Sequence, residues 1–132
     1  MEKIMLFVML AAFITVVFAG CSAPYDLNES VDEIISIEIV SAENSRDFTV
    51  EKTLSEIEKS DFLRQFQTMK FQIVIDPEPV YQATAIKITY QSGNYEMISR
   101  HAIEYVEGGI GYERPRSPDY DEFDELLARF SD

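Results

Sequence analysis

Two kinds of hydrophobic pattern divide the chain. From Ile4 to Phe18 the residues are almost all apolar, and only Thr15 interrupts the run. From Glu33 onward, apolar residues recur at intervals of two or of three to four, the spacings typical of half-buried strands and amphipathic helices. The first run therefore predicts a segment outside the folded part, and the remainder predicts a domain that contains both strands and helices.

Period-two alternation predicts six strands. They span residues 33–40, 48–54, 71–75, 83–90, 95–100 and 102–106. The predicted apolar faces are those of Ile35, Ile37 and Ile39 in the first strand, Phe48, Val50 and Leu54 in the second, and Ile103 and Tyr105 in the last. Ser36 and Glu38 point the other way, so the first strand has one face for the core and one for solvent.

The fourth and fifth strands flank Ser92-Gly93, which predicts a tight two-residue turn with the glycine at positive φ. The register predicted from this turn pairs Tyr90 with Tyr95 and Ile88 with Met97 on one face, and Thr89 with Glu96 and Lys87 with Ile98 on the other. Glu96 is thus expected on the mixed, partly polar face of the sheet.

Two helices are predicted, each with an apolar stripe. Ser55 and Glu58 fit a capping box, which predicts a helix over about 56–69. Ser117 as N-cap and Pro118 as first residue predict a second helix over about 118–130. The two stripes comprise Phe62, Leu63, Phe66 and Met69, and Phe123, Leu126, Leu127 and Phe130.

The resulting order of elements is β-β-α-β-β-β-β-α. Short connections between successive strands favour antiparallel pairing. The fold class is therefore expected to be α+β, with a single antiparallel sheet of five to six strands and two helices packed on one face. Residues 108–118 are interpreted as a loop. Residues 22–31, with Pro, Asn and Ser and little apolar periodicity, are interpreted as a flexible tether.

Charge and composition narrow the function classes. The 11 Lys and Arg against 24 Asp and Glu give a formal net charge of −13, which argues against nucleic acid as a partner. One cysteine excludes an internal disulfide and a cysteine-rich zinc module, and one histidine excludes a histidine-rich metal site. No metal and no cofactor is expected.

The apolar run at the start has the form of an export signal. Met1 to Lys3 is a short, slightly positive n-region, and fifteen helical residues from Ile4 to Phe18 would span about 22 Å, less than the roughly 30 Å of a hydrocarbon core. The run ends at Phe18-Ala19-Gly20-Cys21. In this order of features the chain resembles a bacterial lipoprotein precursor cut by signal peptidase II.

The resemblance implies a diacylglyceryl group on the Cys21 thiol and cleavage between Gly20 and Cys21. It divides the chain into a signal peptide (1–20), a lipidated cysteine with a flexible tether (21–31) and a single domain (32–132). The protein would then be lipid-anchored in the cell membrane, on its extracytoplasmic side. From Val31 onward the chain looks like small bacterial lipoprotein domains of uncharacterised function, on the run Ile86–Gly93 and the stripe Phe123–Phe130.

Several polar groupings invite a sharper interpretation. Gly108-Gly109-Ile110-Gly111 lacks the spacing and the following helix of a phosphate loop, and the acidic run over 119–125 lacks the glycine of a calcium loop. The candidate anion contact consists of the scarce cations Arg100, His101, Arg114 and Arg116, if the last two fold back toward the first. Solvated charges paired with nearby carboxylates are the alternative.

No catalytic residues are assigned, and an enzyme is not expected. The leading hypothesis is a non-catalytic module, anchored in the membrane, that binds a basic protein or an envelope component or supports an assembly. One alternative is an inhibitor of a basic secreted enzyme such as a lysozyme or protease. Another is a small hydrolase that uses the region of His101, although no nucleophile-elbow motif accompanies it.

Overall fold

The computed structural model describes residues 22–131, and the predicted signal peptide and Cys21 lie outside them. Nine strands, two helices and a 3-10 turn at Val31–Glu33 follow one another in this part. The strands are β1 (Ser22–Ala23), β2 (Ile34–Asn44), β3 (Asp47–Thr53), β4 (Phe71–Ile73), β5 (Tyr81–Tyr90), β6 (Tyr95–Ser99), β7 (Ile103–Glu107), β8 (Ile110–Arg114) and β9 (Arg116–Pro118). The helices are α1 (Glu56–Phe66) and α2 (Tyr120–Phe130).

Six of the strands form one antiparallel sheet in the order β3-β2-β5-β6-β7-β8. The α+β class, the six-stranded sheet and the two helices confirm the fold predicted from the sequence. A second, three-stranded antiparallel sheet, β1-β4-β9, was not predicted. In this sheet β1 is the beginning of the described chain, β4 follows α1, and β9 precedes α2.

The main core lies between the six-stranded sheet and the two helices. Both predicted helical stripes contribute to it, because Phe62 and Phe66 of α1 and Phe123, Leu126 and Phe130 of α2 are buried in one cluster with the sheet. The sheet residues of that cluster are Ile37, Ile39, Ile86, Ile88, Tyr90, Ile98 and Ile103. Alternation along β2 and β5 thus places one face of each strand under the helices.

The two helices begin differently from one another. At α1 the predicted capping box is present, with the Ser55 side chain accepting from the Glu58 amide and the Glu58 side chain accepting from the Ser55 amide. The prediction for α2 was wrong by two residues, because Asp119 is the N-cap and accepts from the amide of Glu122. Ser117 and Pro118 pair with β4 instead and are therefore unavailable to the helix.

Two predicted apolar faces are incomplete. Ile35 is 52% exposed, because the pairing of β2 with β5 shifts register between Ile34 and Ser36. Val50 is exposed on the edge strand β3, and Phe48 packs against a different cluster from Leu54. A register shift moves side chains to the opposite face of a strand, so a simple alternation in the sequence overstates these faces.

Residues 108–118, predicted as a loop, contain two strands instead. Gly108 and Gly109 form the turn between β7 and β8. These two strands are paired, with Tyr105 of β7 opposite Tyr112 of β8. The chain then crosses to the small sheet, where Arg116 pairs with Ile73. The short glycine-rich sequence hides these strands, because their stability comes from pairing with distant segments rather than from local propensity.

The face of the sheet away from the helices carries a second apolar cluster. Its buried members are Val40, Ala42, Val80, Ala85, Met97 and Ala102. Above it the rings of Phe48 and Tyr95 approach to 6.0 Å, and the Lys87 ammonium lies 4.5 and 4.7 Å from their centroids. Because β3 and β6 are not neighbours in the sheet, this contact shows that the sheet is strongly curved.

The curvature brings the β2–β3 turn against β8. Arg46 donates to the carbonyl oxygen of Gly109 at 3.4 Å. A Cβ atom at Gly111 would lie only 3.2 Å from both the Glu104 carboxylate and the Ser45 hydroxyl. Glycine at this position therefore allows the close approach of the two hairpins.

Within residues 22–131 no helix has the length and hydropathy needed to cross a bilayer.

We expect Phe66→Ala to lower the free energy of unfolding by about 3–5 kcal/mol, because Phe66 is fully buried against the rings of Phe62 and Phe71. Ile57→Ala is the matched control on the same helix, since Ile57 is 84% exposed and its loss should change stability by about 0.5 kcal/mol or less. Urea unfolding measures both, and equal losses would contradict the assigned core.

Candidate functional site

The first described residues, Ser22–Glu33, are fastened along their length to the domain, and we call them the N-terminal strap. Ser22 and Ala23 pair with Gln72 and Phe71 of β4. Tyr25 is buried, and its ring packs on Phe71 with a centroid distance of 5.4 Å. The flexible tether predicted for residues 22–31 is therefore not what the structure has.

The middle of the strap contributes two donors to a buried polar cluster around the Glu96 carboxylate. Tyr25 donates its hydroxyl to Glu96 Oε1 at 2.7 Å, and Asn28 donates its side-chain amide to the same oxygen. Tyr90 of β5 donates its hydroxyl to Glu96 Oε2. Glu96 itself is completely buried, so these donors replace the water that its carboxylate would otherwise bind.

Sequence reasoning placed Glu96 on the wrong face. The structure pairs Thr89 with Tyr95 and Ile88 with Glu96, one residue away from the predicted register. The amide of Tyr90 donates to the carbonyl of Asn94, which leaves a three-residue loop that ends at Gly93 with φ +90°. A glycine in the left-handed region suits a two-residue turn as well as a three-residue loop, so Gly93 by itself did not decide between the two registers.

Burial controls the ionisation of this cluster. Removal from solvent raises the pKa of Glu96, and the hydrogen bonds from Tyr90, Tyr25 and Asn28 oppose that rise without cancelling it. Burial and the adjacent Glu96 carboxylate also raise the pKa values of Tyr25 and Tyr90. Both phenols therefore stay protonated and remain donors. The Arg114 guanidinium beside Tyr25 lowers the pKa of Tyr25, but by less than burial and Glu96 raise it.

A second carboxylate fastens the strap to the same end of the sheet. Glu29 accepts hydrogen bonds from the Ser92 hydroxyl at 2.9 Å and from the Tyr105 hydroxyl at 2.7 Å. Desolvation and the bond to Glu29 raise the pKa of Tyr105 to about 12. The strap thus contacts β4, β6, β7 and the β5–β6 loop through side chains and backbone.

The four cations of the predicted anion contact have different neighbours. Arg100 lies over the ring of Tyr120, 4.6 Å from its centroid, and forms an ion pair with Asp124 at 3.4 Å. His101 is exposed, and its Nδ1 lies 3.1 Å from the Tyr120 hydroxyl. These contacts join the two residues to the start of α2.

Arg114 and Arg116 lie along the crossing from the main sheet to the small one. Arg114 pairs with Ile103 of β7 and interacts with Tyr25 of the strap, whereas Arg116 pairs with Ile73 of β4. Each of them has one buried guanidinium nitrogen without a hydrogen-bond partner in the described structure, Arg114 Nε and Arg116 Nη1. The contacts do not join them to Arg100 and His101 in one site.

Among the grooves on the described surface, two lie along α1 and α2 and one lies beside the strap, and His101 lines none of these three. One of them, of about 320 Å³, lies between the strap and the end of α1. Its lining includes Tyr25, Leu27, Glu29, Val31 and Phe66. Among residues 22–131, no three His, Cys, Asp or Glu side chains are grouped so that they could hold a metal ion.

We expect the stability that Glu96 contributes to fall as pH rises. Its pKa is higher in the folded chain than the ordinary 4.5, so the fold favours the protonated form, and the contribution is lost as pH rises through the folded-state pKa. The free energy of unfolding of the natural protein should therefore decline relative to Glu96→Gln as pH rises above about 4.5. Chemical denaturation of both proteins over a pH series measures the difference.

The comparison with Glu96→Gln removes the contribution of other carboxyls. The Lys52 hydrogen bond lowers the pKa of Glu58, and the Arg64 hydrogen bond lowers that of Asp61, so these groups give the opposite pH dependence. They are present in both proteins and cancel in the difference. A difference that is constant or grows with pH would contradict the assigned environment of Glu96.

Tyr25→Phe should loosen the strap while keeping the ring that packs on Phe71. Loss of a donor to a buried carboxylate is expected to cost about 1.5–3 kcal/mol, and the amides of the strap should exchange faster with solvent than in the natural protein. Tyr81→Phe is the control, because Tyr81 is largely exposed. Unchanged exchange in the strap of Tyr25→Phe would show that the Glu96 bond does not hold it.

Comparison of the chain with protein-family models, with curated proteins and with solved structures found no match in any of the three. The strap and its buried carboxylate therefore have to be interpreted from this chain's own residues.

Proposed function

We propose that the chain is the precursor of a lipoprotein whose folded domain is held at the extracytoplasmic face of the cell membrane. Residues 1–20 are removed as a signal peptide, cleavage occurs between Gly20 and Cys21, and the Cys21 thiol carries a diacylglyceryl group. The observation that carries this proposal is the sequence order of a short charged start, fifteen apolar residues and two small residues before the one cysteine of the chain.

The physical requirements of such an anchor are met by the proposed modification. Each buried CH₂ group contributes about 0.8 kcal/mol, so two acyl chains give stable attachment where a single short chain is marginal. The thioether also uses up the one thiol in the chain, which leaves the mature domain without a cysteine nucleophile.

The mature domain acts in this proposal as a non-catalytic binding or assembly module. Glu2 and Lys3 are the charged residues removed with the signal peptide, so the formal charge of −13 remains on the domain. Such a surface favours a cationic partner, a basic protein or an envelope component, and mainly accelerates the encounter at low salt.

Cys21→Ser should abolish lipid attachment. In a bacterium that produces the full chain and is fed an alkyne fatty acid, we expect the natural protein to incorporate the label and to be recovered with membranes. The variant should incorporate none, and its intact mass should lack the acyl increment. Release of the variant from the membrane fraction is also expected.

Ser22→Ala is the matched control, because it changes the neighbouring residue and leaves the backbone pairing of Ser22 with Gln72 available. It should be labelled like the natural protein. Label incorporated equally into Cys21→Ser, or natural protein isolated with Met1 intact and a free thiol, would overturn the proposal.

A further inference from the structure

The proposed lipid attachment point and the folded domain are separated by almost no chain. Ser22, the residue after Cys21, is already paired with Gln72, and the next residues are fixed by Phe71 and Glu96. Consecutive Cα atoms are about 3.8 Å apart and paired strands about 4.8 Å apart. A lipid joined to residue 21 therefore begins within about 10 Å of the β4 backbone.

Exposed apolar side chains lie on the segment that this attachment point would bring to the membrane. Beyond Gln72, β4 continues to Ile73, which is 55% exposed, and two residues later Ile75 is 92% exposed. Ile75 is the most exposed large apolar side chain in residues 22–131. We call Ile73 and Ile75 the apolar ridge.

Ile73 is the last residue of β4, and Ile75 lies two residues beyond the end of this strand. The amide of Val74, between the two members of the ridge, donates to the carbonyl of Pro115 at 3.0 Å. Ile73 also pairs with Arg116 of β9. These contacts to β9 and to Pro115 before it hold Ile73 and Val74, while the neighbouring Gln72 pairs with Ser22 at the N-terminal end of the strap.

The charges around the ridge suit the boundary of a bilayer. Arg116 lies across from Ile73, where a cation suits the phosphates of a bilayer, and Lys70 lies at the other end of β4. Asp76 follows Ile75 and is exposed, which limits the ridge to shallow contact with the interface. Single exposed apolar residues are common on protein surfaces, but these two lie beside the proposed anchor.

We propose that the apolar ridge rests on the lipid bilayer, with Ile75 entering its interfacial region, and that the domain therefore has one fixed orientation on the membrane. This inference rests on the proposed lipid anchor at Cys21. The flexible tether predicted from the sequence would let the domain move freely, whereas in this proposal the domain contacts the membrane along β1, β4 and the residues that follow β4.

The test places a fluorescent probe on the ridge of the full, processed chain. Ile75→Cys protein is purified from membranes, labelled with nitrobenzoxadiazole maleimide and reconstituted into vesicles of phosphatidylcholine and phosphatidylglycerol that contain a shallow spin-labelled lipid. The anchored Cys21 thiol is blocked, so only the introduced cysteine reacts. Because Ile75 is almost fully exposed, its replacement removes no packing from the core.

Ile57→Cys is the matched control, since Ile57 is 84% exposed and lies in the first turn of α1, at the opposite end of that helix from β4. We expect a blue-shifted emission and several-fold stronger quenching by the spin-labelled lipid for the probe at residue 75 than for the probe at residue 57. Equal quenching at the two positions would overturn the contact of the ridge with the bilayer.

The same preparation separates this failure from failure of the anchor. Intact mass reports acylation of Cys21, and natural protein treated with the maleimide reports any free thiol. Equal quenching in acylated protein overturns the ridge contact alone and leaves the proposed anchor standing. Absence of acylation, or labelling of Cys21, overturns the anchor and the ridge contact together.

Discussion

A carboxylate removed from water needs hydrogen-bond donors from the protein, and the donors to Glu96 connect the strap to the main sheet. An unpaired buried carboxylate costs several kcal/mol, and its attraction to good donors offsets that cost only when the geometry is complete. One set of donors is local, because Tyr90 lies on the neighbouring strand β5. The other comes from Tyr25 and Asn28, about seventy residues earlier in the chain.

The strap is therefore ordered by the same cluster that it completes. Without Tyr25 and Asn28, Glu96 would lack the donors to Oε1, and without Glu96 the Tyr25 hydroxyl would lack its acceptor. The small sheet extends this connection to both helices. The amide of Asp119, the N-cap of α2, donates to the carbonyl of Lys70, and the amide of Lys70 donates to the Glu122 side chain. The beginning of the described chain thus lies in one connected set of strand pairs and hydrogen bonds with the residues after α1 and the start of α2.

Several of the few Lys and Arg side chains in this acidic chain form ion pairs with carboxylates of the same domain. Lys87 lies between two aromatic rings and 3.7 Å from the Glu38 carboxylate, with little of its side chain exposed. Lys52 binds Glu58 with both side chains partly buried, whereas Arg100 pairs with Asp124 where both side chains are about half exposed. Each ion pair neutralises one carboxylate, so the carboxylates in excess determine the electrostatic potential around the domain. This negative potential is the basis for expecting a cationic partner.

The sequence by itself determined the class of the fold, the two helical stripes, the capping box at Ser55 and the alternation of β5 and β7, because all of these depend on residues close together along the chain. It also contains the whole argument for a lipid anchor. Only the tertiary structure decided the register of the β5–β6 hairpin, the pairing of Ser22 with Gln72 and the two strands within residues 110–118. One residue of register moves Glu96 from a solvated face to the core, and such long-range choices are made by the summed pairing and burial of segments far apart in sequence, which no local pattern records.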